Sequence, residues 1–85
     1  MSPDLMPLVD IRTAIGRALG FVQGFDADHF QDDSRTRWAV YSWIIVIGAA
    51  SRRITREFQD AHCDIPWAEM IGMRNKLAHA YDDID

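Results

Sequence analysis

The feature that most constrains this chain is the apolar run from Trp38 to Ala50, interrupted only by Ser42 and Gly48. The run falls short of the ~20 residues a bilayer span needs, so its natural place is a buried core helix and no membrane is called for. Being apolar nearly all round, such a helix must be covered on most sides by other helices or by a second subunit. A chain of 85 residues has room for one domain, spanning residues 1–85. A domain of that size buries only roughly 60–65% of the surface its unfolded chain exposes, which favours self-association, most simply a two-fold dimer. Hydrophobic residues at 48% and charged residues at 26% suit a packed globule rather than a disordered chain.

Helical periodicity continues on both sides of the run. Leu5, Leu8, Val9, the stem of Arg12, Ile15, Leu19 and Val22 follow the helical template, with Pro3 and Pro7 near the start, where proline is tolerated. The first helix is expected over Asp4–Val22. Gly16, Gly20 and Gly24 recur every four residues, either as a bare stripe that lets another backbone approach or, for Gly24, simply as the helix end. Phe25 to Asp33 is acidic and aperiodic and reads as a loop, with Phe30 as its anchor in the core. Its Asp26, Asp28, His29, Asp32 and Asp33 match no calcium or zinc spacing. The last acids, with Ser34, are better suited to capping the next helix. The central helix is expected over Arg35–Phe58, His62-Cys63-Asp64 in a turn, and a third helix opening at Pro66. The pattern specifies an all-α fold, a small antiparallel helical bundle.

Charge and cysteine usage narrow the functional classes. A net charge of −4 argues against coating nucleic acid by bulk attraction, because phosphate neutralisation needs clustered cations. Eight of the nine basic residues are Arg, Lys76 being the exception, which favours directed forked hydrogen bonds. Arg52, Arg53 and Arg56 form the dense basic cluster; they either complement the C-terminal end of the central helix, at ~0.3–1 kcal/mol each, or contact RNA phosphates. The lone Cys63 has no internal disulfide partner, and Met1 to Leu8 lack a basic leader followed by an apolar stretch, so the cytoplasm is the expected compartment. No metal site or cofactor is expected.

The last helix carries the candidate chemistry. Trp67, Met70, Ile71, Leu77, Ala78 and Tyr81 lie on one stripe whose remaining position is Arg74. A guanidinium on an apolar stripe loses water and must find partners, either in a structural salt bridge or in a bound anion. Asn75 and His79, four apart, share an adjoining face. RNA cleavage without a metal needs a base for the 2′-OH proton, a cation for the charge developing on phosphorus and an acid for the leaving 5′-oxygen. His79 suits the proton transfers and Arg74 the phosphate. With a single histidine at this place, acid and base together point to two copies meeting in one cleft.

Arg74-Asn75-x-x-x-His79-x-Tyr81 resembles the Arg-x4-His-x-Tyr signature of HepT-like HEPN toxins. The lead-in from Ile65-Pro66-Trp67 through Ile71-Gly72-Met73 resembles that family's approach to the motif, as Val46-Ile47-Gly48 resembles its central helix. The resemblance implies a HEPN-like bundle that dimerises, with a metal-independent ribonuclease site in the cleft between subunits. It gives Arg74 and His79 the catalytic roles and Asn75 an orienting one. It implies a cognate nucleotidyltransferase antitoxin that silences the toxin by attaching AMP to Tyr81. The chain departs from the pattern at Ala49-Ala50-Ser51, where relatives commonly carry an acid after Ile-Gly. It also ends at Asp85, where relatives usually continue into another helix, so the family's C-terminal helix is expected to be absent. The alternative is a non-catalytic HEPN module that binds a nucleotidyltransferase partner or a nucleotide, with Arg74 kept for packing or phosphate recognition.

Overall fold

The computed structural model describes residues 2–82, the last two by backbone alone. Among the described residues there are five helices and no strands: α1 (Leu5–Val22), α2 (Ala27–Asp32), α3 (Ser34–Arg52), α4 (Arg56–Ala61) and α5 (Trp67–Asp82). The apolar run lies in α3, which packs against α1 on one side and α5 on another, as the all-α expectation requires. Arg53 reaches Asp10 at 3.2 Å and Trp67 packs with Ala50 and Ile54, so α1 and α5 both run antiparallel to α3. No helix among the described residues is long and apolar enough to cross a membrane.

The core gathers at one end of this three-helix layer. Ile11, Ala50, Ile54 and Trp67 are buried together, with Leu8, Ile47, Phe58 and Ile65 packed around them. Trp67 also closes the turn before α5, its indole N–H donating to the His62 carbonyl at 3.0 Å. Pro66 stands one residue before the first helical position, its carbonyl accepting from Met70 N–H at 3.1 Å. The other end is less covered, and Trp38 remains 38% exposed and Val46 37%.

Three sequence expectations need correction. The central helix does not run through to Phe58 but stops at Arg52 and restarts at Arg56. Thr55 breaks it: extended at ψ 151°, its backbone N–H and hydroxyl donate to the buried Asp4 carboxylate at 2.7 and 2.8 Å, while its hydroxyl oxygen accepts Phe58 N–H at 3.2 Å and caps α4. A long-range partner thus overrides helical propensity there. The acidic segment is not wholly a loop, because Asp26 accepts His29 N–H at 2.8 Å and nucleates α2. Asp33 ends that helix and caps α3 through Thr36 N–H at 3.0 Å, as the capping reading of the acids anticipates, with Ser34 the first helical residue rather than the cap. Phe30 is half-buried against Tyr41, ring centroids 6.4 Å apart. Finally, the bare stripe of α1 receives no neighbouring backbone: a Cβ at Gly16 or Gly20 would meet no heavy atom within 4 Å among the described residues. Gly24, at φ +82°, follows the end of α1 in a conformation that suits glycine.

Candidate active site

The close backbone approach in this fold lies at Gly48. A Cβ there would stand 2.0 Å from Arg74 Cβ, 2.8 Å from its Cγ and 2.9 Å from the Met70 carbonyl oxygen. With hydrogen in place of a side chain, α5 settles directly onto α3, and the first carbons of Arg74 fill the notch. Arg74 is therefore fixed at its root by a close backbone contact between these two helices.

The guanidinium is held less completely. Its Nε is buried and finds no hydrogen-bond partner among the described residues, while Nη1 donates to Asn75 Oδ1 at 3.1 Å. No carboxylate pairs with Arg74 among the described residues. A buried donor left unsatisfied costs about 1–3 kcal/mol, and such a cost persists where an anion can supply the missing acceptor. Asn75 orients the guanidinium through its side-chain oxygen and still has its amide N–H groups to offer. Asn75 and His79 lie one turn apart on exposed positions of α5, with His79 in its last turn. Tyr81 belongs to the final turn of α5, and its side chain lies outside the described residues.

The wider basic cluster divides. Arg53 pairs with Asp10 at 3.2 Å and Arg56 with Asp60 at 3.5 Å, both on exposed surface, which accords with the solvated structural reading. Arg52 is exposed and has no ion pair among the described residues. Lys76 is exposed on α5, about 200° round from Arg74 and so on the side away from α3. His62 stacks on Phe58 at 4.3 Å, and the exposed Cys63 follows it in the turn. The shifted carboxylates lie elsewhere: His29 N–H holds the Asp26 pKa down, and Thr36 N–H does the same for Asp33. Sequence reading missed the notch residue Gly48. Its signal was a glycine in the middle of an otherwise apolar run, opposite the helix that carries Arg74.

The chain matches the family described as "Ribonuclease HepT-like" over residues 11–85, a stretch that includes Gly48 and the whole Arg74–Tyr81 segment. It belongs to the HepT-like ribonuclease family. A protein of Thermococcus cleftensis named "Probable ribonuclease HepT" is 40% identical over 78 residues, covering 92% of this chain and 71% of that protein. "Putative RNase MJ1380" of Methanocaldococcus jannaschii is 36% identical over 78 residues, 92% of this chain and 72% of that one. No solved structure matches the chain. Membership in the HepT-like family and the RNase names of these relatives support a ribonuclease function.

Proposed function

We propose that this HepT-like chain is the toxin ribonuclease of a HEPN/nucleotidyltransferase pair, cutting cytoplasmic RNA without a metal ion. The observation that carries the reading is Arg74: rooted in the Gly48 notch, oriented by Asn75, paired with no described carboxylate and left with a buried Nε that has no partner among the described residues. That is a cation prepared for a phosphate. His79, five residues on, supplies the proton chemistry. One imidazole takes the 2′-OH proton, the 2′-oxygen attacks phosphorus, and a second, protonated imidazole gives its proton to the departing 5′-oxygen. The products are a 2′,3′-cyclic phosphate and a 5′-hydroxyl. Two histidines in one cleft require a two-fold dimer, in which the guanidinium of Arg74 holds the charge that builds on the phosphoryl oxygens.

Silencing follows the same electrostatics. A cognate nucleotidyltransferase transfers AMP from ATP to the Tyr81 oxygen, releasing pyrophosphate. The new phosphate occupies the place beside Arg74 that RNA would use.

Purified protein is expected to degrade RNA in the presence of EDTA, and His79→Ala or Arg74→Ala to abolish cleavage while helical circular dichroism is retained. Wild-type cleavage by both variants contradicts the site, and RNA binding without any cleavage favours the non-catalytic module. With ATP, magnesium and the partner enzyme, the mass rises in AMP-sized steps in wild type and not in Tyr81→Phe; an equal rise in both contradicts the assignment of Tyr81.

A further inference from the structure

The Gly48 contact fixes how closely α5 approaches α3 at Arg74, but contact at one point does not fix the rotation of a helix about its own axis. That rotation matters for a catalytic guanidinium. A roll of about 10° carries a group at the rim of a helix, roughly 5–6 Å from the axis, through about 1 Å. Misplacement by about an ångström is enough to cost about 100-fold in rate.

Trp67 supplies the second point. It precedes Arg74 by seven residues, so the two side chains leave α5 within about 20° of one another and about 10 Å apart along its axis. Trp67 is 7% exposed and packs with Ala50, Ile54 and Phe58, whose ring meets the indole at 78° with centroids 6.2 Å apart. Apolar packing has no preferred direction, whereas a hydrogen bond does. The indole N–H donates to the His62 carbonyl oxygen at 3.0 Å, which resists turning of the indole and of α5 with it.

The acceptor is itself held. His62 N–H donates to the carbonyls of Phe58 and Gln59 at 3.0 and 3.2 Å, and the imidazole stacks on Phe58 with centroids 4.3 Å apart. Ile65 N–H donates to the same His62 carbonyl at 3.1 Å. Gln59 ties α4 back to α3, its amide donating to the carbonyls of Ser51 and Ile54 at 3.3 and 3.2 Å. The contacts close a ring: from Gly48 along α3 to the fully buried Ser51, across Gln59 to α4, through His62 to Trp67, along α5 to Arg74 and back to Gly48. A ring closed in this way leaves α5 little room to roll.

Resting on the ribonuclease reading above, we infer that Trp67 is a positioning residue for Arg74: by holding the His62 carbonyl, its indole N–H sets the roll of α5 and with it the aim of the guanidinium at the scissile phosphate. Charge builds on the phosphoryl oxygens only as the transition state forms. A mis-aimed guanidinium therefore lowers kcat and leaves KM nearly alone.

The test uses the full chain and an oligoribonucleotide, well below the melting point of every variant. Trp67→Phe keeps an aromatic ring in the core and removes the donor. Gln59→Met keeps the side-chain length and removes the tie from α4 to α3, and it carries the test if Trp67→Phe does not fold. The control is Val40→Ala, which truncates a buried residue of α3 outside the Trp67 cluster. Trp67→Phe is expected to lower kcat about ten- to one-hundredfold with KM within about twofold of wild type. Gln59→Met shows a smaller loss of the same kind, and Val40→Ala keeps its kcat. A second readout needs no RNA: the Arg74 Nε–H signal in an arginine side-chain NMR spectrum, identified by its absence in Arg74→Lys. It should shift or exchange faster with water in Trp67→Phe and Gln59→Met and stay in place in Val40→Ala. Wild-type kcat in both variants, an Arg74 signal that stays in place in both, an equal kcat loss in Val40→Ala, or a loss confined to KM each overturns this role for Trp67 and leaves the ribonuclease reading intact. No cleavage by the wild type overturns the ribonuclease reading; Trp67 keeps its hold on Arg74 if the signal still moves in the two variants, and both fall if it does not.

Discussion

Gly48→Ala isolates the contact that roots Arg74. In an exposed helix the added methyl would stabilise by about 1 kcal/mol. Here it would lie 2.0 Å from Arg74 Cβ and 2.9 Å from the Met70 carbonyl oxygen, where carbon atoms ordinarily stand about 3.5–4.0 Å apart. Both of those atoms are fixed to the α5 backbone, so no rotamer change relieves the overlap and α5 must retreat by roughly 1.5–2 Å. Overpacking of this severity costs about 3 kcal/mol, and the propensity gain leaves about 2 kcal/mol net. For a domain of this size that corresponds to a fall of roughly 8–16 °C in Tm. Cleavage measured well below the melting point should fall further, by about 100-fold, because an ångström of misplacement at a catalytic group has that effect. The paired control is Gly20→Ala, where nothing among the described residues lies within 4 Å and Tm should rise by roughly 4–8 °C. Circular dichroism melts and single-turnover cleavage read both variants. A Gly48→Ala protein with wild-type Tm and wild-type cleavage refutes the notch and its role in placing Arg74.

Two further predictions concern the scaffold. Asp4→Ala strips the acceptor from the Thr55 backbone N–H and hydroxyl, and urea unfolding should show a loss of about 1–3 kcal/mol; an unchanged midpoint would mean the tie is dispensable. Asp26 and Asp33 have folded pKa values held below the ordinary 3.8 by helix N–H groups, so their contribution is present above that value and fades as pH falls through the lower folded ones. The Asp26→Asn, Asp33→Asn double variant, which keeps capping oxygens without the titration, should lose less stability than wild type between neutral pH and pH below 3.8. Parallel acid melting curves for the two proteins contradict that.

What the sequence disclosed and what it hid have physical reasons. The spans of α1 and α5 and the placing of Arg74 on an apolar stripe were legible because periodicity is a local property of the chain. The break at Thr55 was not, since its cause is Asp4, 51 residues away. The short α2 was hidden by an acidic composition that reads as loop, although Asp26 capping His29 N–H is enough to start a turn. The glycine reading went astray in an instructive way. The evenly spaced Gly16 and Gly20 attract attention yet meet none of the described residues, while the single Gly48 inside the apolar run is where two backbones meet. The spacing of Arg74, Asn75 and His79 suggested a site, but that Arg74 pairs with no described carboxylate and that its buried Nε meets no described partner emerge only once α5 is packed on α3.

The most direct test of Arg74 and His79 as the catalytic pair is the chemistry of the cut ends. With EDTA present, an oligoribonucleotide cleaved by the wild type should carry a 2′,3′-cyclic phosphate on one product and a 5′-hydroxyl on the other. Both should disappear with Arg74→Ala, with His79→Ala, or when the 2′-hydroxyl at the cut is removed. Cleavage that needs a divalent ion, leaves 5′-phosphate ends, or survives both substitutions contradicts the mechanism.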